Sequence, residues 1–256
     1  MAVKKKLASE YKQFRKDATW YEFAFWCVGW ILMVYALVSA IKTNRDPNLT
    51  MILEADTVAA FMIPVFHFLL PKKIFLARIS YRAITWVLIL TLGAGFIGKF
   101  LDIYKVIASY DSYLHVFGCF FLVFACYEMA KAIKNGDEPL APVIAAICGF
   151  GLSFFAAVSW EIFEFTCDQF FNGNTQNWAF APSQHFMQMW PMDIRRYALV
   201  DTMTDLICGT VGSIFGGAAL FIFECYKVRK SKLKLMKKTK QKINSPCETQ
   251  KNRVQA

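Results

Sequence analysis

The stretch APVIAAICGFGLSFFAAVSWEIFEF, residues 141–165, decides the fold. From Ala141 to Trp160 it contains no charged side chain, and it then closes on two glutamates, Glu161 and Glu164. A helix needs roughly 20 apolar residues to cross about 30 Å of hydrocarbon, so this run reads as a membrane span with acids in its last turns. Five other stretches repeat the pattern: about Trp20 to Ile41, Leu53 to Leu70, Ala83 to Ile103, Leu114 to Ile133 and Ala198 to Phe223. The second is the least regular, opening on Glu54 and Asp56 and containing Pro64 and His67. The first follows a basic segment, as a signal peptide would, but its apolar run is too long for a signal core. The sequence therefore predicts an all-α polytopic membrane bundle of six transmembrane helices.

Composition agrees. Of 256 residues 56% are hydrophobic and 25 are Phe, with a mean hydropathy of +0.35, more apolar sequence than a soluble core uses. The net charge of +10 arises at the ends: residues 1–19 and 226–256 hold 17 basic and 3 acidic groups, and the middle holds 12 basic and 16 acidic. Three regions follow, a basic N-terminal segment (1–19), a transmembrane domain (20–225) and a basic tail (226–256) expected to be disordered. The positive-inside rule puts both termini in the cytoplasm. Of 29 Lys and Arg, 23 then lie inside, and Lys42, Arg45, Lys99, Lys105, Arg195 and Arg196 lie outside. The expectation is a multi-pass protein of the plasma, or bacterial inner, membrane. Its partners are membrane lipids, with anionic head groups at the basic tails. Nucleic acid is the rival partner for such a tail, and its juxtamembrane position argues against it. Oligomeric state is not legible. None of the eight cysteines forms a Cys-x-x-Cys pair and most lie within spans, so they read as packing residues.

Under this topology seven ionisable residues converge on one face of the membrane: Asp111 and His115, then Glu161, Glu164 and Asp168, then Asp201 and Asp205. Each set is spaced three or four apart, so each lies on one helix face. Ionisable groups at membrane depth are costly, and usually face a bundle interior with a function. Stacked carboxylates repel, so a cation, bound protons, or Arg195 and Arg196 must offset them. Carboxylates with one imidazole suit a hard divalent ion, Mg, Mn or Ca, better than zinc. Asp111 alone also reads as an N-cap, Asp201 as a first-turn acid and His115 as a satisfied buried histidine. Asp102, Glu54 and Asp56 read as solvated groups at span ends, while His67 and His185 fall outside the cluster. Gly149, Gly151, Gly209, Gly212, Gly216 and Gly217 allow the fifth and sixth spans to approach closely. Asn48-Leu49-Thr50 is an outer-side glycosylation sequon that matters only in a secretory-pathway host.

Tyr110-Asp111-x-x-x-His115, Trp160-Glu161-x-x-Glu164 and Asp201-x-x-x-Asp205 with a following glycine resemble the YjdF-like family of uncharacterised bacterial inner-membrane proteins. The resemblance covers roughly residues 83–222. VanZ-like proteins, associated with glycopeptide resistance, are more loosely similar. They tend to have Gln and Asn where this chain has Glu164 and Asp205. The resemblance singles out Asp111, His115, Glu161, Glu164, Asp201 and Asp205.

Three functions fit these residues. The first is metal-assisted chemistry on a lipid or envelope phosphate. There Glu161, Glu164, Asp201 and Asp205 hold a divalent cation, His115 oriented by Asp111 transfers a proton, and Arg195 and Arg196 clamp phosphate oxygens. The second is a proton- or cation-coupled transporter. The third is a structural or regulatory membrane protein whose polar cluster only fixes helix packing, for which pairing of each acid with Arg195, Arg196, Lys99 or Lys105 is the mark.

Overall fold

The structure, a computed structural model, describes residues 2–107, 109–135, 139–171, 173–176 and 197–244. Its elements are α1 (Ala2–Asp17), α2 (Trp20–Lys42), α3 (Pro47–Leu69), a 3-10 turn (Phe75–Arg78), α4 (Ala83–Thr91) continuing as a π-helix (Leu92–Phe100), α5 (Ile103–Val106), α6 (Tyr110–Lys134), α7 (Pro142–Phe170) and α8 (Tyr197–Asn244). Six of these helical stretches are long and apolar enough to cross a membrane. The chain is thus an all-α, multi-pass membrane protein. Large apolar side chains such as Ile31, Phe68, Ile147, Phe155, Phe215 and Ile222 are exposed around the bundle, while Asp56, His67, Ser153, Glu161, Asp205 and Ser213 are buried within it. That inversion is the one a hydrocarbon solvent selects.

Local chemistry sets the helix ends. Thr19 caps α2 in a reciprocal box with Glu22, and Asn44 and Asn135, both at positive φ, end α2 and α6. Pro64 sits inside α3, where it cannot donate to the carbonyl four residues back. That carbonyl, on Ala60, instead accepts the Trp30 indole N–H at 3.0 Å. Helix α8 runs to Asn244, through part of the basic tail for which the sequence suggests disorder. Its 48 residues span about 72 Å.

Helix α6 is the axis of the bundle, packing on α8, α7 and α4, while α3 packs on α2, α4 and the π-helix. The glycines serve α6 as much as the α7–α8 seam expected from sequence. A side chain at Gly212 would overlap the Val116 backbone, and one at Gly216 would lie 2.8 Å from the Phe120 oxygen. Gly149 also faces Val123 of α6; Gly217 alone meets only α7, and Gly151 meets nothing. Below the acidic residues, Ser153 donates to the Cys119 carbonyl at 2.9 Å and lies 3.0 Å from the Ser213 hydroxyl, tying α6, α7 and α8 together. The seven cysteines of the described residues are free.

The two ends of the bundle differ in charge. One end gathers the C-termini of α2, the π-helix and α7 and the N-termini of α3, α6 and α8, and here the acids collect. The opposite end gathers α1, the 3-10 turn, the C-terminus of α6 and the basic stretch of α8. There Arg78 donates to the Ala132 carbonyl from Nε and Nη2 at 3.1 and 2.9 Å, which satisfies the exposed end of α6.

Candidate metal centre at the acidic end

Helical spacing places Asp111 and His115 on one face of α6, and the close approach allowed by Gly209 and Gly212 brings Asp205 of α8 against them. His115 Nε2 lies 3.6 Å from Asp111 Oδ1 and 3.7 Å from Asp205 Oδ1. One ligand atom from each of the three residues falls within 4.8 Å of the others. These separations are long for hydrogen bonds, but ligands about 2.1 Å from a shared ion lie about 3–4 Å from one another. The trio opens outward: the Asp111 side chain is 39% exposed, His115 13% and Asp205 5%.

Glu161 of α7 stands beside this trio, close enough to Asp201 and Asp111 for their charges to act on it. It is 5% exposed, and neither carboxylate oxygen has a hydrogen-bond partner. Thr202, whose hydroxyl accepts the Gln176 amide at 2.7 Å and keeps its own proton, is the nearest donor but does not reach hydrogen-bond geometry with Glu161. A buried carboxylate without partners costs several kcal/mol unless it binds something. Glu161 lies about 13 Å along α7 from Phe170, and Asp205 about 12 Å along α8 from Tyr197, so the deep side of the centre is well inside the spans.

The other acids have separate roles. Glu164, half-buried, accepts the Trp160 indole N–H at 3.0 Å. Asp168 is 4% exposed and is neither solvated nor free: it accepts from the Thr175 backbone and hydroxyl, both at 2.7 Å, and from the Gln176 backbone at 2.9 Å. It anchors the chain that leaves α7. Asp168→Ala is expected to destabilise the protein by about 2 kcal/mol through these lost bonds. A thermal melt measures that loss. Asp201 lies one turn before Asp205 and is half-buried. Of the four carboxylates expected to hold the ion, only Asp205 belongs to the trio; Asp111 and His115, expected to move a proton, supply the other two ligand atoms. Arg195 and Arg196, the expected phosphate clamp, lie outside the described residues, as does His185.

Sequence reasoning missed one acid. Asp56, expected at a solvated span end, is 3% exposed on α3 with Oδ2 unpartnered. The π-helix covers it: a side chain at Gly95 would lie 2.7 Å from that oxygen. The signal was the run Leu92-Gly93-Ala94-Gly95-Phe96-Ile97-Gly98, whose glycines permit such contact. Glu54 is exposed, as expected, and Asp102 pairs with Lys105 at 2.8 Å. Tyr104 of α5 links the two groups of acids, with Lys99 Nζ 4.5 Å from its ring centre. Burial, then the charges of Asp111, Asp56 and Glu164, push the Tyr104 hydroxyl well above its ordinary value. It is therefore a proton donor, never a phenolate, near neutral pH.

Comparison with known proteins agrees with the fold and leaves the chemistry open. The family described as "Predicted membrane protein (DUF2238)" matches residues 24–225. A protein of Thermotoga maritima called "Uncharacterized protein" is 32% identical over 117 residues, 45% of this chain and 49% of the relative. The match thus spans about half the length of that relative. No solved structure matches.

Proposed function

The chain belongs to the DUF2238 family of predicted membrane proteins, and on that premise we propose that it is a bacterial inner-membrane protein that binds a divalent cation at its acidic end. Both termini lie in the cytoplasm and the centre faces outward, since this orientation keeps the basic end inside. Asp111, His115 and Asp205 would hold the ion, with Glu161 beside them as the third carboxylate. The observation that carries this reading is Glu161, a buried acid with both oxygens unpartnered beside three spaced ligand atoms. A packing-only cluster would pair its acids. The donor set, oxygen-rich with one imidazole, fits Mg, Mn or Ca, and manganese tolerates the nitrogen best.

The use we assign to the centre is chemistry on a lipid or envelope phosphate. A bound ion would supply charge neutralisation and polarise water. Glu161 would accept a proton from water, Tyr104 would donate one, and Lys99, Arg195 and Arg196 would hold phosphate oxygens. A second reading, proton- or cation-coupled transport, is favoured by Asp56, a buried carboxylate on a different helix at comparable depth. The VanZ-like resemblance carries no weight in either reading.

Metal binding is tested on detergent-purified protein by elemental analysis after equilibration with Mg, Mn, Ca or Zn. One ion per chain is expected, lost in Asp205→Asn and bound at least tenfold more weakly in Glu161→Gln, about 1.4 kcal/mol. A folded wild-type protein that retains no metal would remove this reading.

A further inference from the structure

At the opposite, basic end an open groove of about 350 Å³ lies between the start of α7 and the extension of α8. Pro142, Cys225, Val228, Arg229, Lys232 and Leu233 line it. We propose that this groove binds the head group of one anionic glycerophospholipid, with Arg229 and Lys232 on its phosphate. The inference does not depend on the metal centre.

Depth supports it. Pro142 opens the apolar run of α7, and Arg229 lies six residues, about 9 Å, beyond Phe223, where the apolar run of α8 ends. The groove therefore straddles the boundary between hydrocarbon and head groups. Pro142 and Val228, on the membrane side, present apolar surface to an acyl chain, and the two cations stand at the head-group level.

Charge supports it as well. From Cys225 to Asn244 there are nine basic residues and no acid. Lys230, Lys234 and Lys238 repeat every four residues, and like charges at this spacing disfavour a helix. An anionic surface reverses the sign of that effect. Two lysines at this end are already paired, Lys227 with Glu224 at 2.7 Å and Lys131 with Glu128 at 2.6 Å. Among the described residues Arg229 and Lys232, both exposed, make no ion pair. They are the cations left over at the groove.

Native mass spectrometry of the full chain in detergent tests the assignment, with phosphatidylglycerol and phosphatidylcholine titrated separately. Wild type is expected to retain one phosphatidylglycerol in preference to phosphatidylcholine. R229Q/K232Q should weaken it about thirtyfold, the effect of two basic residues near a membrane surface. K238Q/K240Q, farther along the same helix, should leave it unchanged, and equal melting temperatures would show that all three proteins are folded. Equal retention of both lipids would overturn the proposal, as would equal losses in the two double variants, which mark a diffuse basic tail. Displacement of the lipid by an RNA oligonucleotide or inorganic phosphate would overturn it in favour of a soluble polyanion.

Discussion

Gly212→Val is expected to leave no correctly folded protein in the membrane. A β-carbon at this position would overlap the Val116 carbonyl oxygen and lie 2.8 Å from the carbonyl carbon and 3.0 Å from Cα. All three obstacles belong to the backbone of α6, which cannot swing aside as a side chain can. Helices α6 and α8 would have to separate, and overpacking of a fitted core costs about 1–3 kcal/mol even where side chains can adjust. Val adds a β-carbon and two methyl groups to a gap with no room for the first of them. Gly212→Ala should be the milder variant, with a lowered melting temperature. Gly151→Ala, whose added carbon meets nothing within 4 Å, should be neutral or better. Size-exclusion profile and thermal melt in detergent separate the three, and a Gly212→Val protein as stable as Gly151→Ala would refute the packing described for α6 and α8. The same gap fixes the 3.7 Å between His115 and Asp205, so Gly212→Ala should also weaken metal retention.

Glu10→Ala is expected to release α1 from the bundle. Glu10 Oε1 pairs with Lys72 at 2.7 Å, and Oε2 lies 2.8 Å from His67 Nδ1 and accepts the Tyr81 hydroxyl at 2.9 Å. His67 is 2% exposed, and its Nε2 donates to the Ile79 carbonyl at 2.7 Å. Removing the carboxylate leaves the Tyr81 hydroxyl and His67 Nδ1 without it, while Lys72 keeps its bonds to Gln13 at 2.9 Å and the Ala77 carbonyl at 2.8 Å, at a cost of about 3 kcal/mol. Burial raises the Glu10 pKa, but hydrogen bonds from Lys72, His67 and Tyr81 outweigh it and bring the value below the ordinary 4.5. A depressed carboxylate stabilises the fold above its unfolded value and loses that contribution as pH falls through the folded one. Protection against amide exchange over residues 2–17, relative to the intrinsic rate at each pH, should therefore fall as pH drops below about 4.5, and Glu10→Gln should be poorly protected and show no such loss over that window. Slow exchange in Glu10→Ala at neutral pH would show that Phe14, packed on Trp26 and Tyr81, and the remaining polar contacts of Lys6, Gln13 and Asp17 hold α1 without Glu10.

The six spans were legible because hydrocarbon imposes one rule, a long and predominantly apolar run, and the sequence states that rule six times. The acids of α6, α7 and α8 were legible because three- and four-residue spacings survive translation into a helix face. The partition among them was not. Asp168 and Glu161 look alike in sequence, but one is saturated by Thr175 and Gln176 and the other has no partner, a difference fixed by a turn after α7 that no periodicity announces. Asp56 was misread because its burial depends on the glycines of another helix, some 40 residues away. His67 and Glu10 were not joined for the same reason: 57 positions separate them, and only the folded chain makes them neighbours.

The π-helix has a consequence for how this segment can vary. Its ladder closes between residues five apart, as in the Leu101 N–H to Phe96 carbonyl bond of 3.0 Å, and so holds roughly one more residue per turn than an α-helix. The direction in which Lys99 and Asp102 leave this segment is thus set by how many residues precede them as much as by which ones. A substitution in 92–100 edits a surface, whereas a single deletion resets the winding and turns everything after it by about a quarter of a circle. The length of residues 92–100, more than their identity, therefore fixes the direction in which the chain enters α5 and α6.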